Sequence, residues 1–250
     1  MTIRNRRETI SENGPIVFCD FDGTITDIDV TDEILTQLAH PSWREVEQAW
    51  VRGLIGSREC LERQMALVET TEKELNALID SIGIDPHFSR FYRFVQRQAI
   101  PFYVLSDGFD YVVRRVLRHA GVNGELRNGS HLFTSALRFE GRRLAASFPN
   151  CSPPCGHGCA TCKPRIIRSL GHKHRPIIYI GDGLSDRFAV EQSDVIFAKR
   201  QLLVHCREAG IGYHPFETFA DVEAALESEV HDQRSKVKSQ IMKLAVGVEG

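Results

Sequence analysis

A short apolar run that stops at two carboxylates and a glycine constrains this 250-residue chain more than any other feature. Ile16-Val17-Phe18 leads through Cys19 into Asp20-Phe21-Asp22-Gly23-Thr24-Ile25-Thr26. An unbroken apolar run of this length reads as a strand buried on both faces, as in a parallel sheet. Asp20 and Asp22 leave the strand end together, and Gly23 supplies the turn that brings their side chains near one point. Like charges that close need a cation. Mg²⁺ is the hard, oxygen-seeking ion that suits carboxylates and phosphate together, so one carboxylate can act as nucleophile while the other handles protons. Asp-Gly turns after strands are also common without any chemistry, so the rest of the chain has to decide.

Three further segments supply what such a pair needs. Ile100-Pro101-Phe102-Tyr103-Val104-Leu105 is a second apolar run, expected to end as a strand at Leu105 before Ser106-Asp107-Gly108 and a helix beginning near Phe109. Ser106 offers a hydroxyl to a phosphoryl oxygen, and backbone N–H groups at the helix start add their dipoles to the same anion. Lys163 stands in Cys162-Lys163-Pro164, where the proline suits a first helical turn and puts the lysine at its mouth. Ile177-Ile178-Tyr179-Ile180 ends in Gly181-Asp182-Gly183-Leu184-Ser185-Asp186, which reads as a third strand carrying a metal ligand, Asp182, with Asp186 supporting it from behind. Alone, each is as well explained as a helix cap or a solvated lysine; their joint order is not.

These residues resemble the four motifs of the haloacid dehalogenase superfamily of phosphatases, and the likeness spans nearly the whole chain. Transferred position by position, the resemblance implies that Asp20 attacks phosphorus and that Asp22 protonates the leaving oxygen and then activates water against the aspartyl-phosphate. It implies Mg²⁺ bound by Asp20, Asp182 and the backbone carbonyl of Asp22. It gives Ser106, Asp107, Gly108 and Lys163 the grip on the phosphoryl group, whose transfer depends on positioning and electrostatics. Asp22 argues against carbon–halogen hydrolysis, which needs no proton donor for a departing halide.

Between the first and second motifs, residues Asp32 to Leu38, Trp43 to Val51, Ser57 to Val68 and Thr71 to Ile82 place apolar residues at three- and four-residue spacing. Thr71 with Glu74 reads as a capping box. Four short helices there resemble the helical cap of the phosphoserine-phosphatase-like branch, a device that closes over the site and selects the substrate. Beyond Arg90, helices alternate with apolar runs near 100–105, 177–180 and 194–197, the signature of a parallel sheet with right-handed crossovers and a site at the strand carboxyl ends. The expectation is an α/β fold, a Rossmann-like parallel sheet core (1–28 and 91–230) with an inserted small helical-bundle cap (29–90). A strand pair is expected within 124–148 around Glu140-Gly141. A charged tail, 231–250, reads as a frayed helix and leaves a homodimer contact open.

With 42% hydrophobic and 26% charged residues, the chain can bury one good core and a small accessory unit. A net charge of −2 is not the strongly basic balance of a nucleic-acid binder, and Arg4, Arg6 and Arg7 read as a solvated tail. No apolar stretch is long enough for a membrane span or a secretory signal, so a cytoplasmic location is expected.

Four of the seven cysteines fall in one window, Cys151-Ser-Pro-Pro-Cys155-Gly-His157-Gly-Cys159-Ala-Thr-Cys162. Structural Zn²⁺ held by these thiolates, with His157 as a substitute ligand, is one use. A redox-sensitive Cys159/Cys162 pair able to displace Lys163 is another, and an unliganded loop is a third. The loop running into Cys-Lys-Pro, with Asp-Phe-Asp-Gly-Thr-Ile-Thr and Pro-Phe-Tyr-Val-Leu-Ser, resembles the 2-hydroxy-3-keto-5-methylthiopentenyl-1-phosphate phosphatases of methionine salvage. Asp107-Gly108 departs from the second glycine those enzymes tend to carry there. The resemblance implies a small phosphorylated metabolite as substrate, with phosphoserine, phosphocholine or phosphoethanolamine esters, or transfer to another hydroxyl, as alternatives. A zinc-held interaction surface on a degenerate phosphatase core is the non-enzymatic alternative. Asp29, Asp32, Glu33, Arg52 and Arg58 are candidate substrate contacts. His172 and His174 read as part of a basic loop, and Cys19 as a small core residue.

Overall fold

The computed structural model describes residues 14–122, 126, 131–152, 155–174 and 176–228. The arginines at 4, 6 and 7 and the tail 231–250 lie outside the described residues. Among the described residues, seven strands form one sheet: β1 (Ile16–Cys19), β2 (Phe102–Phe109), β3 (Leu132–Glu140), β4 (Arg143–Ser147), β5 (Ile177–Gly181), β6 (Val195–Ala198) and β7 (His214–Pro215). Their order is β4-β3-β2-β1-β5-β6-β7, and all neighbours pair parallel except β3 with β4. The antiparallel pair is the hairpin expected near Glu140-Gly141, with Gly141 in the left-handed region at its turn (φ 67°).

β1 shows why its residues make a central strand. Val17 and Cys19 join one buried cluster while Ile16 and Phe18 join the other, so a period of two feeds both faces of the sheet. β5 repeats the division, with Ile178 and Ile180 on the first face and Ile177 and Tyr179 on the second. On the first face Phe88 and Phe91 of α5 (Phe88–Arg97) pack against Phe219 at centroid distances of 5.1 and 5.0 Å. Truncating either ring is expected to cost about 3–5 kcal/mol. On the second face α7 (Lys163–Gly171), α8 (Arg187–Val190) and α9 (Arg200–Glu208) contribute Ile166, Ile167, Val190 and Leu202.

Between β1 and α5 lie α1 (Val30–Leu38), α2 (Trp43–Val51), α3 (Ser57–Met65) and α4 (Glu72–Asp80), where the spacing placed four helices. Thr71 and Glu74 form the reciprocal capping box that starts α4. The chain leaves the sheet and returns to it side by side, through an antiparallel bridge from Thr26 to Ile84 and hydrogen bonds from Asp27 N to Gly83 O and Asp85 N to Ile25 O.

β2 departs from expectation by running past Leu105 to Phe109 before α6 (Asp110–His119), with a break in its register against β3 between those two residues. The irregularity accommodates Ser106-Asp107-Gly108 within the strand, a feature that hydrophobic periodicity does not signal.

Candidate active site

β1, β2, β5 and α7 deliver their polar residues to one edge of the sheet, the carboxyl ends of the parallel strands. β2 and β5 flank β1 on opposite sides, which is the topological switch point where open α/β sheets form crevices. Asp20 follows β1, Ser106 lies in the irregular end of β2, Asp182 follows β5, and Lys163 opens α7 behind Cys162 with Pro164 in the first turn.

Lys163 ties the site together. Its ammonium donates to Asp20 Oδ1 at 2.7 Å and to Asp186 Oδ1 at 2.6 Å, and its residue is 1% exposed. Burial works against its charge, but the carboxylates of Asp186 and Asp20 outweigh it and hold Lys163 well above the usual lysine range. Burial, followed by the charge of Asp186, pushes both Asp20 and Asp182 upward. Among the described residues, no protein donor meets Asp20 Oδ2, so that oxygen is free to react.

Asp186 is occupied on both oxygens. Oδ1 accepts from Lys163 and, at 2.5 Å, from the Tyr179 hydroxyl; Oδ2 accepts from the backbone N–H groups of Asp182 and Gly183, each at 3.2 Å. These bonds make it a brace for Lys163 and the Asp182 turn. Carboxylate oxygens of Asp20, Asp182 and Asp186 all lie within 4.8 Å of one another. Asp20 and Asp182 offer hard oxygen donors there, and among the described residues only Lys163 and Arg200 form ion pairs with these three carboxylates, a setting that fits a divalent cation such as Mg²⁺.

Asp22 turns toward the other side. Its Oδ1 accepts from Val30 N at 3.1 Å, at the N-terminus of α1, and its Oδ2 accepts from Ser106 Oγ at 3.2 Å. Burial, then the charge of Asp29, pushes Asp22 up to about 8, a carboxyl poised to hold a proton. Ser106 Oγ also accepts from Gly108 N at 2.8 Å. The Asp107 carboxylate is engaged elsewhere, with Thr161 N at 2.8 Å and Ser57. Gly23 sits in the left-handed region (φ +69°), and a Cβ there would fall on the Asp182 carboxylate.

A cleft of about 310 Å³ opens above Asp20, Asp22 and Asp182. Its far wall comes from α1 to α3 and carries Asp29, Asp32, Glu47, Trp50 and Gln64. Crowding by protein, then the charge of Asp32, pushes Asp29 up to about 7, and crowding, then Glu47, pushes Asp32 up to about 6. Of the expected substrate contacts, Asp29 and Asp32 line the cleft, whereas Glu33, Arg52 and Arg58 do not. Glu33 pairs with Gln37, and Arg52 donates to Gln48 at 3.3 Å. His172 faces the carbonyl of Ser169, and Cys19 is fully buried in the core.

Several contributors escape the sequence reading. Arg200 reaches back from the start of α9 to Gly23 O (2.9 Å), Asp27 O (2.6 Å) and Asp182 Oδ2 (3.1 Å). Its one available signal is its position just after an apolar run, β6, whose end falls on the same edge as β1 and β5. Glu47, Trp50 and Gln64 look like ordinary positions on amphipathic helices. The thiols of Cys155 and Cys159 are brought together with His157, while Cys151 and Cys162 lie outside that group, the Cys162 thiol interacting with Cys155.

A family model described as haloacid dehalogenase-like hydrolase matches residues 17–191. The chain is 31% identical over 214 residues to a 2-hydroxy-3-keto-5-methylthiopentenyl-1-phosphate phosphatase of Lysinibacillus sphaericus, covering 83% of this chain and 91% of the relative. It is 33% identical over 213 residues to the enzyme of that name from Bacillus mycoides, covering 84% and 94%. In fold it is similar to a phosphoserine phosphatase solved as a phospho-aspartyl intermediate analogue, with a TM-score of 0.62 at 13% identity over 86% of this chain and 99% of that one. A haloacid dehalogenase family hydrolase from Salmonella enterica serovar Typhi also has a TM-score of 0.62, at 17% identity over 83% and 69%. Family match, relatives and fold agree: the chain belongs to the haloacid dehalogenase-like hydrolases and is a phosphoric monoester hydrolase.

Proposed function

We propose that this enzyme hydrolyses a small phosphomonoester, 2-hydroxy-3-keto-5-methylthiopentenyl-1-phosphate, through an aspartyl-phosphate on Asp20. The observation that carries the chemistry is the buried Lys163 ammonium, 2.7 Å from Oδ1 of Asp20, which orients the carboxylate with Oδ2 toward the cleft. Asp20 Oδ2 forms the bond to phosphorus as the ester P–O bond breaks, and Asp22 gives its proton to the leaving oxygen. Asp22 then takes a proton from water as that water attacks phosphorus, which returns the Asp20 carboxylate and frees phosphate. Ser106 and Lys163 hold the non-reacting phosphoryl oxygens, and any part played by Asp107 falls to its backbone N–H. Asp20, Asp182 and the Asp22 carbonyl would hold Mg²⁺, which supplies charge neutralisation for the phosphoryl group.

The substrate rests on the activity for which relatives at 31% and 33% identity are named. The wall of Asp29, Asp32 and Glu47 favours a second reading, an ester bearing an ammonium group such as phosphoethanolamine, phosphocholine or phosphoserine. Residues 29–90 are proposed as a cap over the cleft, a reading supported by the antiparallel bridge between Thr26 and Ile84, where the chain leaves and rejoins the sheet. A cytoplasmic setting is supported by seven free cysteines, and among the described residues no helix is long and apolar enough to cross a membrane.

Phosphate release across a panel containing the salvage enol-phosphate, phosphoserine, phosphoethanolamine and phosphocholine tests this. Preference for the salvage compound supports the substrate. Preference for an amine ester moves the substrate and keeps the chemistry. Release of no phosphate from any ester, with transfer to an added alcohol, would replace hydrolysis by phosphotransfer.

A further inference from the structure

The cysteine loop before α7 takes no part in the chemistry above, yet its side chains converge. Cys155 Sγ lies 3.7 Å from Cys159 Sγ and 3.8 Å from His157 Nδ1, and the Cys162 thiol interacts with Cys155 from just outside this group. Four ligands around tetrahedral zinc, at about 2.3 Å for sulfur and 2.0–2.1 Å for nitrogen, stand about 3.8 Å apart for sulfur pairs and about 3.6 Å apart for sulfur and nitrogen. The Cys155–Cys159 and Cys155–His157 separations match that frame, and Cys162 stands just outside the group of three. His157 is held flat on Phe188 of α8, with centroids 3.6 Å apart and planes 12° apart, so its ring is oriented independently of any ligand.

We infer that Cys155, His157 and Cys159, with the neighbouring Cys162 drawn in as fourth ligand, form a structural Zn²⁺ site that braces the loop carrying Lys163. Binding releases the three thiol protons to water and engages neutral His157 through Nδ1, closing the coordination shell with soft ligands that suit zinc and poorly suit Mg²⁺.

What the site would brace is specific. Cys162 is the residue before Lys163. Thr161 donates its hydroxyl to Ser106 O and its N–H to Asp107 Oδ1, each at 2.8 Å. On the other side the loop meets the start of α3, with Arg58 N donating to Gly158 O and Ala160 N to Ser57 Oγ, both at 3.0 Å. Backbones approach so closely there that a Cβ on Gly56 would fall on the Gly158 carbonyl. A loop of few apolar residues gains little from burial, and zinc would supply the rigidity that holds the phosphate lysine against β2 and α3 together.

The test is elemental analysis of the full-length protein purified without added metal. The expected result is one zinc per chain, lost in Cys155→Ser and in Cys159→Ser and retained in Cys151→Ser. Cobalt(II) exchanged into the site should give the intense sulfur-to-metal charge-transfer absorption of tetrahedral thiolate ligation. Folded wild-type protein with no zinc and with Cys155, Cys159 and Cys162 titrating as free thiols would overturn the assignment, as would a Cys155–Cys159 disulfide found by peptide mapping. Because wild-type metal content decides the matter, a variant that fails to fold does not obscure it. The readout is separate from phosphate release, so failure here and failure of the proposed hydrolysis are told apart.

Discussion

Lys163 Nζ lies 2.7 Å from Asp20 Oδ1 with the two side chains only 2% and 7% exposed. A second carboxylate, Asp186, accepts from the same ammonium at 2.6 Å. Removing one partner of such a group leaves buried charge without compensation, at a cost of about 3–5 kcal/mol. Lys163→Ala is therefore expected to lower stability by that order in urea unfolding and to lose most turnover. Wild-type turnover in a folded variant would place the phosphate grip elsewhere.

Asp22 is bonded to Val30 N and Ser106 Oγ, contacts that an amide can largely keep. Asp22→Asn should leave unfolding nearly unchanged and slow hydrolysis of alkyl phosphates by about 10²–10⁴-fold, the range for a lost general acid or base. An ester with a nitrophenol leaving group needs no proton, so formation of the phospho-enzyme from it should be slowed far less. Equal losses for both esters would remove Asp22 from the acid role.

Asp29 caps α1 by accepting from Asp32 N at 2.9 Å, while crowding and Asp32 push it up to about 7. The folded chain thus keeps a proton that the unfolded chain gives up near an ordinary carboxylate value of about 4. Stability from this group is full below about pH 4 and is lost as pH rises through about 7. Asparagine also caps helices, so in magnesium-free protein Asp29→Asn should flatten the fall in melting temperature between about pH 5 and about pH 8. An unchanged slope would contradict the raised value.

Gly23 combines φ +69° with a Cβ position that falls on Asp182. Gly23→Ala should destabilise the fold by about 1–2 kcal/mol and raise the Mg²⁺ concentration needed for half-maximal activity, because the Asp182 carboxylate has to move. Mg²⁺ titration alongside thermal unfolding separates the two effects, and an unaltered titration would mean that Asp182 does not hold the ion.

Much of this arrangement is legible in the sequence because it is built from local signals. Apolar runs ending in Asp20, Ser106 and Asp182 mark strand ends, Pro164 marks the first turn of α7, and Thr71 with Glu74 marks α4. What is hidden is set by contacts between distant segments. Arg200 joins Gly23 across 177 positions, and Tyr179, read as an apolar strand residue, spends its hydroxyl on Asp186. The acidic cleft wall exists only once Asp29 and Asp32 at the start of α1 meet Glu47 of α2 beside Asp22. β2 outruns its apolar stretch where Gly108 N donates locally to Ser106 Oγ, and the two-residue β7 carries too little pattern to be read at all.

The most direct test is acid quenching of the enzyme during turnover of the salvage enol-phosphate with Mg²⁺, followed by peptide mass mapping. The expected result is one phosphoryl group on the peptide bearing Asp20, on that side chain, and none in Asp20→Asn, which should also release no phosphate. Undiminished phosphate release by Asp20→Asn, with no phosphorylated aspartate in the wild-type enzyme, would contradict nucleophilic catalysis by Asp20.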